Sequence, residues 1–345
     1  MDTTDRGRLK QHLISWATAS PLAGPVGSGG VGTLVLADPA HIPAVMAAGL
    51  VGPRTLLLAS DDATGVLAPA VGYHGSLTEA GDEFSNGQDF FLQTHAYAAS
   101  PFMTVFGPTV VRVFDQSDFE AFLADADRAL AEGVFPDFLI TSSVVLADAA
   151  ALTGAHAPAD GPALRLYADR DGQVSTSPTG AVLGTVHDSL ANLTERFART
   201  GPGAAALDAA VPAEAREAAL LARPFLPRYL EAVAALCSLM ARGVTGLRVS
   251  GFGSRLTPGL AAAGADLADP TLPLVLYGDQ DTYVVVGSRL FSIDRHAAQT
   301  LERVLATSGE AGDLVSADQL DQLDQLLVRH DLTLPVPVRV PAAAR

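Results

Sequence analysis

The chain has 345 residues but only one lysine, Lys10, and its acidic side chains far outnumber the basic ones. It contains 38 Asp and Glu residues against 22 Lys and Arg residues, which gives a net charge of −16. Proteins that bind polyanions contact the phosphates through clustered Lys and Arg side chains. The composition therefore argues against nucleic acid as a partner, and basic or neutral partners are easier to reconcile with it.

Cysteine and long apolar runs are scarce as well. Cys237 is the only cysteine, so an intrachain disulfide is excluded. It lies in the apolar helical run LEAVAALCSLMA, which favours a small core residue over a reactive thiol. No run approaches the roughly 20 apolar residues that a membrane span requires, and the N-terminus lacks the apolar stretch of a signal peptide. We therefore expect a cytoplasmic protein without a membrane partner.

Catalytic motifs are also missing. The run Gly27–Gly32 matches the G-x-G-x-x-G pattern of dinucleotide-binding loops, but it precedes a strand at Thr33 instead of following a strand and opening a helix. None of the eight histidines pairs with another at metal-binding spacing, and no serine has glycines at both −2 and +2. We therefore predict no catalytic residue, no metal site and no cofactor, so that the protein is not an enzyme.

Two further motifs favour a structural interpretation. Three D-x-D pairs fall on a predicted helix or in predicted turns, and no further carboxylate follows them at calcium-loop spacing. These pairs are Asp125/Asp127, Asp169/Asp171 and Asp279/Asp281. The run GFGSRLTPG could place Ser254 or Arg255 near a ligand, but a tight turn after a strand at Leu247–Ser250 is the simpler interpretation.

The N-terminal part alternates between strand-like and helical patterns, which predicts an α/β fold. Buried-looking strands are expected at Thr33–Asp38, Arg54–Ser60, Thr109–Phe114 and Asp137–Ser142, and helical segments separate the members of each pair. Two β-α-β units of this kind argue for an α/β layer. We assign residues 1–270 to this α/β scaffold domain, which a break near residues 155–185 could divide into two subdomains.

The middle of the chain changes character. A hairpin is predicted around the turn Asp169–Gly172, and helices are predicted at about Asp188–Arg199 and Ala213–Ala241. Pro224 and Pro227 interrupt the second helical stretch, which predicts two helices or one sharp kink. A Gly/Ala/Pro-rich passage then ends near residue 270 and is the best candidate for a linker.

A compact β-β-β-α-(α)-α pattern occupies residues 271–335. Two strands, Leu272–Gly278 and Thr282–Gly287, form a predicted hairpin, and a third strand at Arg289–Ile293 runs directly into a helix with Asp294 as its N-cap. A leucine-rich helix at about Ser316–His330 ends the unit. We predict a winged-helix-like domain here, followed by a Pro-rich tail at residues 336–345.

This order of elements resembles the PqqD-like RiPP recognition element, a domain that binds the leader peptides of ribosomally made, post-translationally modified peptides. The run SRLFSIDRHAAQTLERVLA, behind a longer α/β region, is more particularly similar to the RiPP recognition proteins of daptide biosynthesis. The chain departs from the pattern at TSGEAGDLV, which leaves little room for the usual second helix.

The resemblance implies that a leader peptide lies between the third strand and the last helix. A short strand at a sheet edge can accept an extended peptide as a further strand, which is a known physical mode of recognition. The predicted peptide-binding residues are Arg289, Leu290, Phe291, Ser292, Ile293, Leu320, Asp321, Asp324, Leu327 and Val328. Core packing is the alternative role for the two leucines of the helix, and a solvated helix face is the alternative role for its Asp residues.

The charge of this unit bears on the kind of peptide. Residues 272–335 contain 8 Asp and 2 Glu against 4 Arg, a net charge of 4 − 10 = −6. An acidic groove would suit a leader peptide that carries Arg or Lys.

Three functions remain open from the sequence. The favoured one is a non-catalytic protein that captures a precursor peptide and presents it to partner enzymes, which the resemblance implies are an oxidoreductase, an aminotransferase and a methyltransferase. The second is an enzyme with its active site in the N-terminal α/β domain. The third, a DNA-binding regulator, is disfavoured because the last helix carries three Asp and, among basic residues, only Arg329. A homodimer is compatible with each of them.

Overall fold

The computed structural model describes residues 3–22, 29–61, 70–154, 161–201, 203–261, 264–287, 289–307 and 315–329. The chain divides into two compact units. The first unit comprises residues 1–122 and 143–220, and the second unit comprises residues 123–142 and 221–345. The predicted domain boundary near residue 270 stays a prediction. Gly27 and Ser28 of the glycine run, the break at 308–314, His330 and the tail at 336–345 lie outside the described residues.

The described residues form ten α-helices and fourteen strands. The helices are α1 Thr3–Thr18, α2 Ile42–Ala47, α3 Gln116–Glu132, α4 Ala149–Leu152, α5 Leu190–Arg199, α6 Ala204–Leu207, α7 Ala213–Ala222, α8 Leu226–Met240, α9 Arg295–Ala306 and α10 Ala317–Arg329. The strands are β1 Thr33–Leu36, β2 Leu56–Ser60, β3 Val71–Gly75, β4 Glu83–Ser85, β5 Phe91–Ala96, β6 Thr109–Arg112, β7 Val144–Leu146, β8 Arg165–Ala168, β9 Gln173–Ser175, β10 Gly184–Thr185, β11 Arg248–Val249, β12 Leu274–Tyr277, β13 Thr282–Val286 and β14 Arg289–Ser292. None of these helices has the length and apolar character that a bilayer crossing requires.

A ten-stranded mixed sheet forms the centre of the first unit, and its strand order is β10-β9-β8-β1-β2-β3-β4-β5-β6-β7. Strands β8, β1, β2 and β3 are parallel to one another, and so are β5, β6 and β7. The parallel pair β1 and β2 is joined through α2, which is the first predicted β-α-β unit. The α/β class is therefore confirmed.

The second predicted β-α-β unit is β6-α3-β7, but its last strand was predicted in the wrong place. Residues 137–142 form turns, in which Leu139 N–H donates to the Pro136 carbonyl at 3.1 Å. The strand lies just beyond, at Val144–Leu146, where Val144 pairs with Thr109. The apolar side chain of Leu139 is buried within a turn, and a short apolar run does not by itself distinguish a strand from such a turn.

The hairpin and the helices predicted in the middle of the chain are confirmed, and the linker near residue 270 stays a prediction. Strands β8 and β9 form an antiparallel hairpin, and the Asp169 carboxylate accepts hydrogen bonds from the N–H groups of Asp171 and Gln173 in its turn. Helices α7 and α8 are separate, and Pro227 lies in the first turn of α8, where a missing N–H costs nothing.

Both faces of the large sheet are covered. In β1, Leu34 and Leu36 belong to one core cluster, which also contains Leu57 and Leu193. Val35 points to the other face, into a cluster that contains residues of α1 such as Trp16. Alternate residues of a strand point to opposite faces, so continuous apolar runs such as TLVL are typical of strands buried on both sides.

Charged groups are buried in the first unit as well. Arg165 donates to the Asp148 carboxylate at 2.6 Å, and Arg112 Nε lies 3.8 Å from the other carboxylate oxygen. Ser177 Oγ donates to the same carboxylate at 3.1 Å. Asp148 itself has the left-handed backbone angle φ of 55°. Two buried cations thus share one buried carboxylate, with a hydroxyl completing its hydrogen bonds.

The second unit contains a four-stranded antiparallel sheet in the order β11-β12-β13-β14. Helices α9 and α10 follow the sheet in the chain, and their apolar side chains form one core cluster with strand residues such as Val275 and Val284. The predicted hairpin, third strand and following helix are therefore present. The pairing of β11 with β12 adds a strand from residues 248–249 to them.

Candidate functional site

The predicted site begins at β14, the outermost strand of the four-stranded sheet in the described part of the chain. The turn before it contains Gly287, whose φ of 57° lies in the left-handed region that favours glycine. Beyond the turn, β14 pairs antiparallel with β13, with Arg289 opposite Val286 and Phe291 opposite Val284. A short edge strand therefore stands where the sequence predicts one.

The backbone groups of β14 alternate in direction. Ile293 N–H, just beyond the strand, donates to the Thr282 carbonyl at 3.1 Å. In an antiparallel ladder every second residue bonds to the neighbouring strand, so Phe291 and Arg289 share this inward orientation. Leu290 and Ser292 consequently direct their N–H and C=O groups away from β13. These are the groups with which an edge strand can pair a further strand.

The side chains of the edge divide between the two faces of the sheet. Residues that are opposite one another in an antiparallel pair share a face, so Phe291 lies on the same face as Val284 of the helix-side core. Ile293 packs against that core, and the Arg289 guanidinium lies 4.8 Å from the centre of the Phe291 ring. Leu290 and Ser292 are on the opposite face. A strand added here would therefore place alternate side chains on the helix side and on the other side.

Helix α9 begins at this edge and is held there by its first residues. The Asp294 carboxylate accepts from Ala297 N–H at 2.9 Å, which confirms the predicted N-cap. Arg295 donates to the Gly278 carbonyl at 2.9 Å and so ties the helix start to the turn between β12 and β13. The position of the third strand relative to the helix is therefore defined by local contacts.

Helix α10 starts with a reciprocal cap. Ser316 N–H donates to the Gln319 side chain at 3.0 Å, and Gln319 N–H donates to Ser316 Oγ at 3.3 Å. Gln319 Nε2 also lies 3.3 Å from His296 Nε2 of α9. These contacts tie the beginning of α10 to α9 and set which side of α10 faces the core.

The predicted helix residues separate into buried and exposed ones. Leu320 and Leu327 are only 8% and 6% exposed and belong to the core cluster of this unit, so they pack as core residues. Asp321, Asp324 and Val328 are exposed, and Val328 is 69% exposed. Peptide contact by the two leucines stays a prediction, while the two carboxylates and Val328 are accessible on the helix surface.

The buried carboxylate of Glu302 in α9 was not anticipated. Ser250 Oγ donates to it at 2.5 Å, and the backbone N–H groups of Leu256 and Thr257 donate to it at 2.8 and 2.6 Å. The spacing of Ala298, Leu301, Glu302 and Leu305 places Glu302 on the apolar stripe of the helix, which was the available signal. The carboxylate anchors α9 to residues 250–257 of the same unit.

Arg255 contributes to the same region, where its guanidinium is paired with a carboxylate. It forms two hydrogen bonds with the Asp266 carboxylate, at 2.7 and 2.9 Å, and both side chains are buried. Residues 251–253 form a turn after β11, so the predicted turn is confirmed. Nearby, burial lowers the pKa of Arg228, and the Glu231 carboxylate opposes this shift. These charges are paired within the protein.

The remaining candidate groups are potential metal ligands, the histidines and the cysteine. In the parts of the chain that the structure describes, no three or more His, Cys, Asp or Glu side chains are placed to hold a metal ion. Burial lowers the pKa of both His12 and His95, which favours their neutral forms. Cys237 is partly buried, and burial raises the pKa of its thiol, which disfavours the reactive thiolate.

A cavity of about 560 Å³ lies among the described residues of the first unit. Arg8 and Thr55 are the polar side chains that line it, and both already bond within the protein. Arg8 donates to the Arg54 carbonyl at 2.9 Å, and Thr55 Oγ1 donates to the Val31 carbonyl at 2.6 Å. The polar side chains of the described lining are therefore a guanidinium and a hydroxyl, and each already donates to a backbone carbonyl.

No family model matches the chain, and neither a curated protein nor a solved structure matches it.

Proposed function

We propose that the chain is a non-catalytic recognition protein that captures an extended leader peptide at β14. The observation that carries this proposal is the outward direction of the backbone groups of Leu290 and Ser292. A peptide that adds there as a fifth strand gains main-chain hydrogen bonds without breaking any bond between β13 and β14. The order β12-β13-β14-α9-α10 is interpreted as winged-helix-like, in keeping with the resemblance to PqqD-like recognition elements.

The helix side of the proposed groove sets the chemistry of the peptide. Phe291 and Ile293 offer apolar surface there, and Arg289 lies over the Phe291 ring. Asp321 and Asp324 are exposed on α10. The proposed leader therefore carries apolar residues at alternate positions and Arg or Lys where it meets α10, because opposite charges favour correct orientation and fast association.

The resemblance also suggests what happens to the precursor peptide after capture. The protein would present its precursor to separate modifying enzymes, proposed to be an oxidoreductase, an aminotransferase and a methyltransferase. The first unit would act as scaffold or partner interface in such a complex, and the protein would work in the cytoplasm without a cofactor of its own.

The test removes the N–H group of Ser292, which points away from β13. In Ser292→Pro the edge loses a donor that an added strand would use, whereas the bonds from β14 to β13 are retained because residue 292 faces outward. The matched control is Ser292→Ala, which removes the same exposed hydroxyl and keeps the N–H. Binding of a fluorescein-labelled leader from the precursor encoded near the gene is measured by fluorescence polarisation, with circular dichroism to check folding.

We expect Ser292→Pro to weaken leader binding by about tenfold or more, since an unpaired peptide carbonyl costs about 1–3 kcal/mol. Ser292→Ala should bind like the native protein. Equal affinities of the proline and alanine variants would exclude strand addition at this edge. Absence of binding by the native protein at about 100 µM, where a free energy of only about −5 to −6 kcal/mol is detectable, would contradict leader recognition as a whole.

A further inference from the structure

The loop between β5 and β6 exposes large apolar side chains. This loop spans residues 97–108 of the first unit, and within it Phe102 is 87% exposed, Phe106 is 83% exposed and Met103 is 45% exposed. Two phenylalanines present about 300 Å² or more of apolar surface, which approaches the largest patch that a typical monomer leaves uncovered. Clustered exposure of this kind marks an interaction surface more often than isolated apolar residues do.

Hydrogen bonds hold the loop in this conformation. Ser100 Oγ donates to the Ala96 carbonyl at 2.8 Å, and Met103 N–H donates to the Ser100 carbonyl at 3.2 Å. The buried amide of Gln93 donates to Thr109 Oγ1 at 2.7 Å and reaches the Thr104 carbonyl at 3.5 Å. The aromatic side chains are therefore presented on an ordered backbone, and such preorganisation reduces the entropy lost on binding.

The surroundings of the loop are acidic. Residues 79–120 contain seven Asp and Glu residues. Asp118 is buried and Asp89 pairs with Arg6 at 3.0 Å, whereas the exposed acidic residues are Glu79, Glu83, Asp115 and Glu120. Glu83 is exposed and lies opposite Gln93 in the antiparallel pair of β4 and β5. Its carboxylate is therefore on the same face of the sheet as the Gln93 amide that reaches the loop. An exposed carboxylate therefore lies on the side of the sheet from which Gln93 reaches this loop.

We propose that Phe102, Met103 and Phe106 insert into an apolar pocket, rimmed by Arg or Lys, on a partner protein. Aromatic residues and Met are enriched at the centres of protein interfaces, and complementary charges at the rim orient the partners. A second copy of this chain fits less well, since each copy has a net charge of −16, and an anionic lipid surface is disfavoured for the same reason. The proposal does not depend on peptide recognition at β14.

The test first identifies the partner and then measures binding with purified components. The full chain carries the photoreactive amino acid p-benzoylphenylalanine in place of Phe106 and is irradiated in its native host. A chain with the same amino acid in place of Val182, another exposed apolar residue, is the control. The protein that is cross-linked only from position 106 is identified by mass spectrometry and purified. The Kd of its complex with the full chain is then measured at about 50 and about 300 mM salt.

We expect the double variant Phe102→Ser/Phe106→Ser to weaken this Kd by about 30-fold or more, because buried aromatic anchors dominate interface energetics. Glu83→Lys should weaken it less and should also reduce its dependence on salt. Val182→Ser should leave the Kd unchanged within about twofold. Thermal unfolding of the double variant should match that of the native protein, since both side chains are exposed.

Results of three kinds would overturn the proposal. The first is an unchanged Kd in the double variant, or no cross-link at position 106 beyond the control. The second is cross-linking to another copy of the chain, with a dimer in sedimentation equilibrium that the double variant abolishes. The third is flotation with phosphatidylcholine vesicles that the double variant loses, which would assign the loop to a lipid surface.

Discussion

Asp148 lies between two guanidinium groups, those of Arg112 and Arg165, and all three side chains are almost completely buried. Bringing charges out of water costs several kcal/mol per ion, and attraction to an opposite charge offsets that cost. Burial lowers the pKa of Arg112, and Asp148 opposes the shift. A single carboxylate therefore lies beside both buried cations, whose guanidinium groups also donate to the Leu77 and Trp16 carbonyls.

Replacing Asp148 by Asn tests this arrangement. Asn tolerates the left-handed backbone angle of Asp148, so the change removes the charge and largely preserves the conformation. We expect Asp148→Asn to lower the free energy of unfolding of the first unit by about 3–5 kcal/mol, because two buried cations lose their counter-ion. The measurement is urea unfolding followed by fluorescence of Trp16, the only tryptophan in the chain, which lies in this unit.

The matched control for that variant is Ser177→Ala, which removes the neutral hydrogen bond to the same carboxylate and should cost about 1 kcal/mol. If Asp148→Asn costs no more than Ser177→Ala, the ion pairs do not compensate the buried guanidinium groups.

At the scale of elements, α9 is positioned by two contacts at its N-terminal end and by the contacts of Glu302 further along the helix. Asp294 caps its first turn, Arg295 holds the β12–β13 turn, and Glu302 accepts three hydrogen bonds from residues 250–257. The first of these contacts is local in sequence, whereas the Glu302 contacts span about 45 to 52 residues. Only the first kind can be anticipated from residue spacing.

Glu302→Gln should destabilise the second unit by about 3 kcal/mol, because the amide NH₂ of Gln would face backbone N–H donors that now point at a carboxylate. The measurement is hydrogen exchange of peptides from α9, which should exchange faster in the variant. Trp16 fluorescence should show no change in the first unit. Asp321→Asn removes an exposed carboxylate of α10 and serves as the control, with an expected effect within about 0.5 kcal/mol. Slow exchange in α9 of Glu302→Gln would show that the anchor is dispensable.

At the scale of the whole chain, the four-stranded sheet draws on residues before the predicted boundary near 270. Strand β11 pairs with β12, and Arg228 donates to the carbonyls of Leu272 and Pro273 at 2.5 and 2.8 Å. Phe135 stacks on Tyr229 with ring centres 5.8 Å apart. The compact unit therefore includes residues that a separate C-terminal domain would leave out.

A fragment of residues 271–335 tests whether the predicted domain is autonomous. We expect it not to unfold cooperatively, because it lacks β11 and the partners of the buried Glu302 carboxylate. Small domains have a low free energy of unfolding, so the loss of these contacts should be enough to unfold the fragment. Thermal denaturation followed by circular dichroism measures this, with the full chain as reference. Cooperative melting of the fragment, with α9 protected from hydrogen exchange as in the full chain, would establish the boundary near 270.

The sequence by itself determined the local structure of this protein. Turn residues and strand patterns predict the β12–β13 hairpin, the capping pattern predicts the start of α9 at Asp294, and apolar alternation with helices predicts the α/β layer. These features depend on residues within about ten positions of one another, so spacing and turn chemistry are enough to specify them. The incorrect strand prediction at Asp137–Ser142 also has a local cause, since a buried turn and a short strand can have the same apolar pattern.

The tertiary structure determined which side chains are buried, which are exposed, and which backbone groups of β14 point away from the sheet. The run FMTVF resembles an apolar core segment, yet the structure exposes Phe102 and Phe106, while the charged Glu302 is buried. The outward direction of Leu290 and Ser292 follows from the register with β13, because one bond from Ile293 sets the alternation of the strand. Such properties depend on contacts between residues distant in sequence, and neither spacing nor composition contains them.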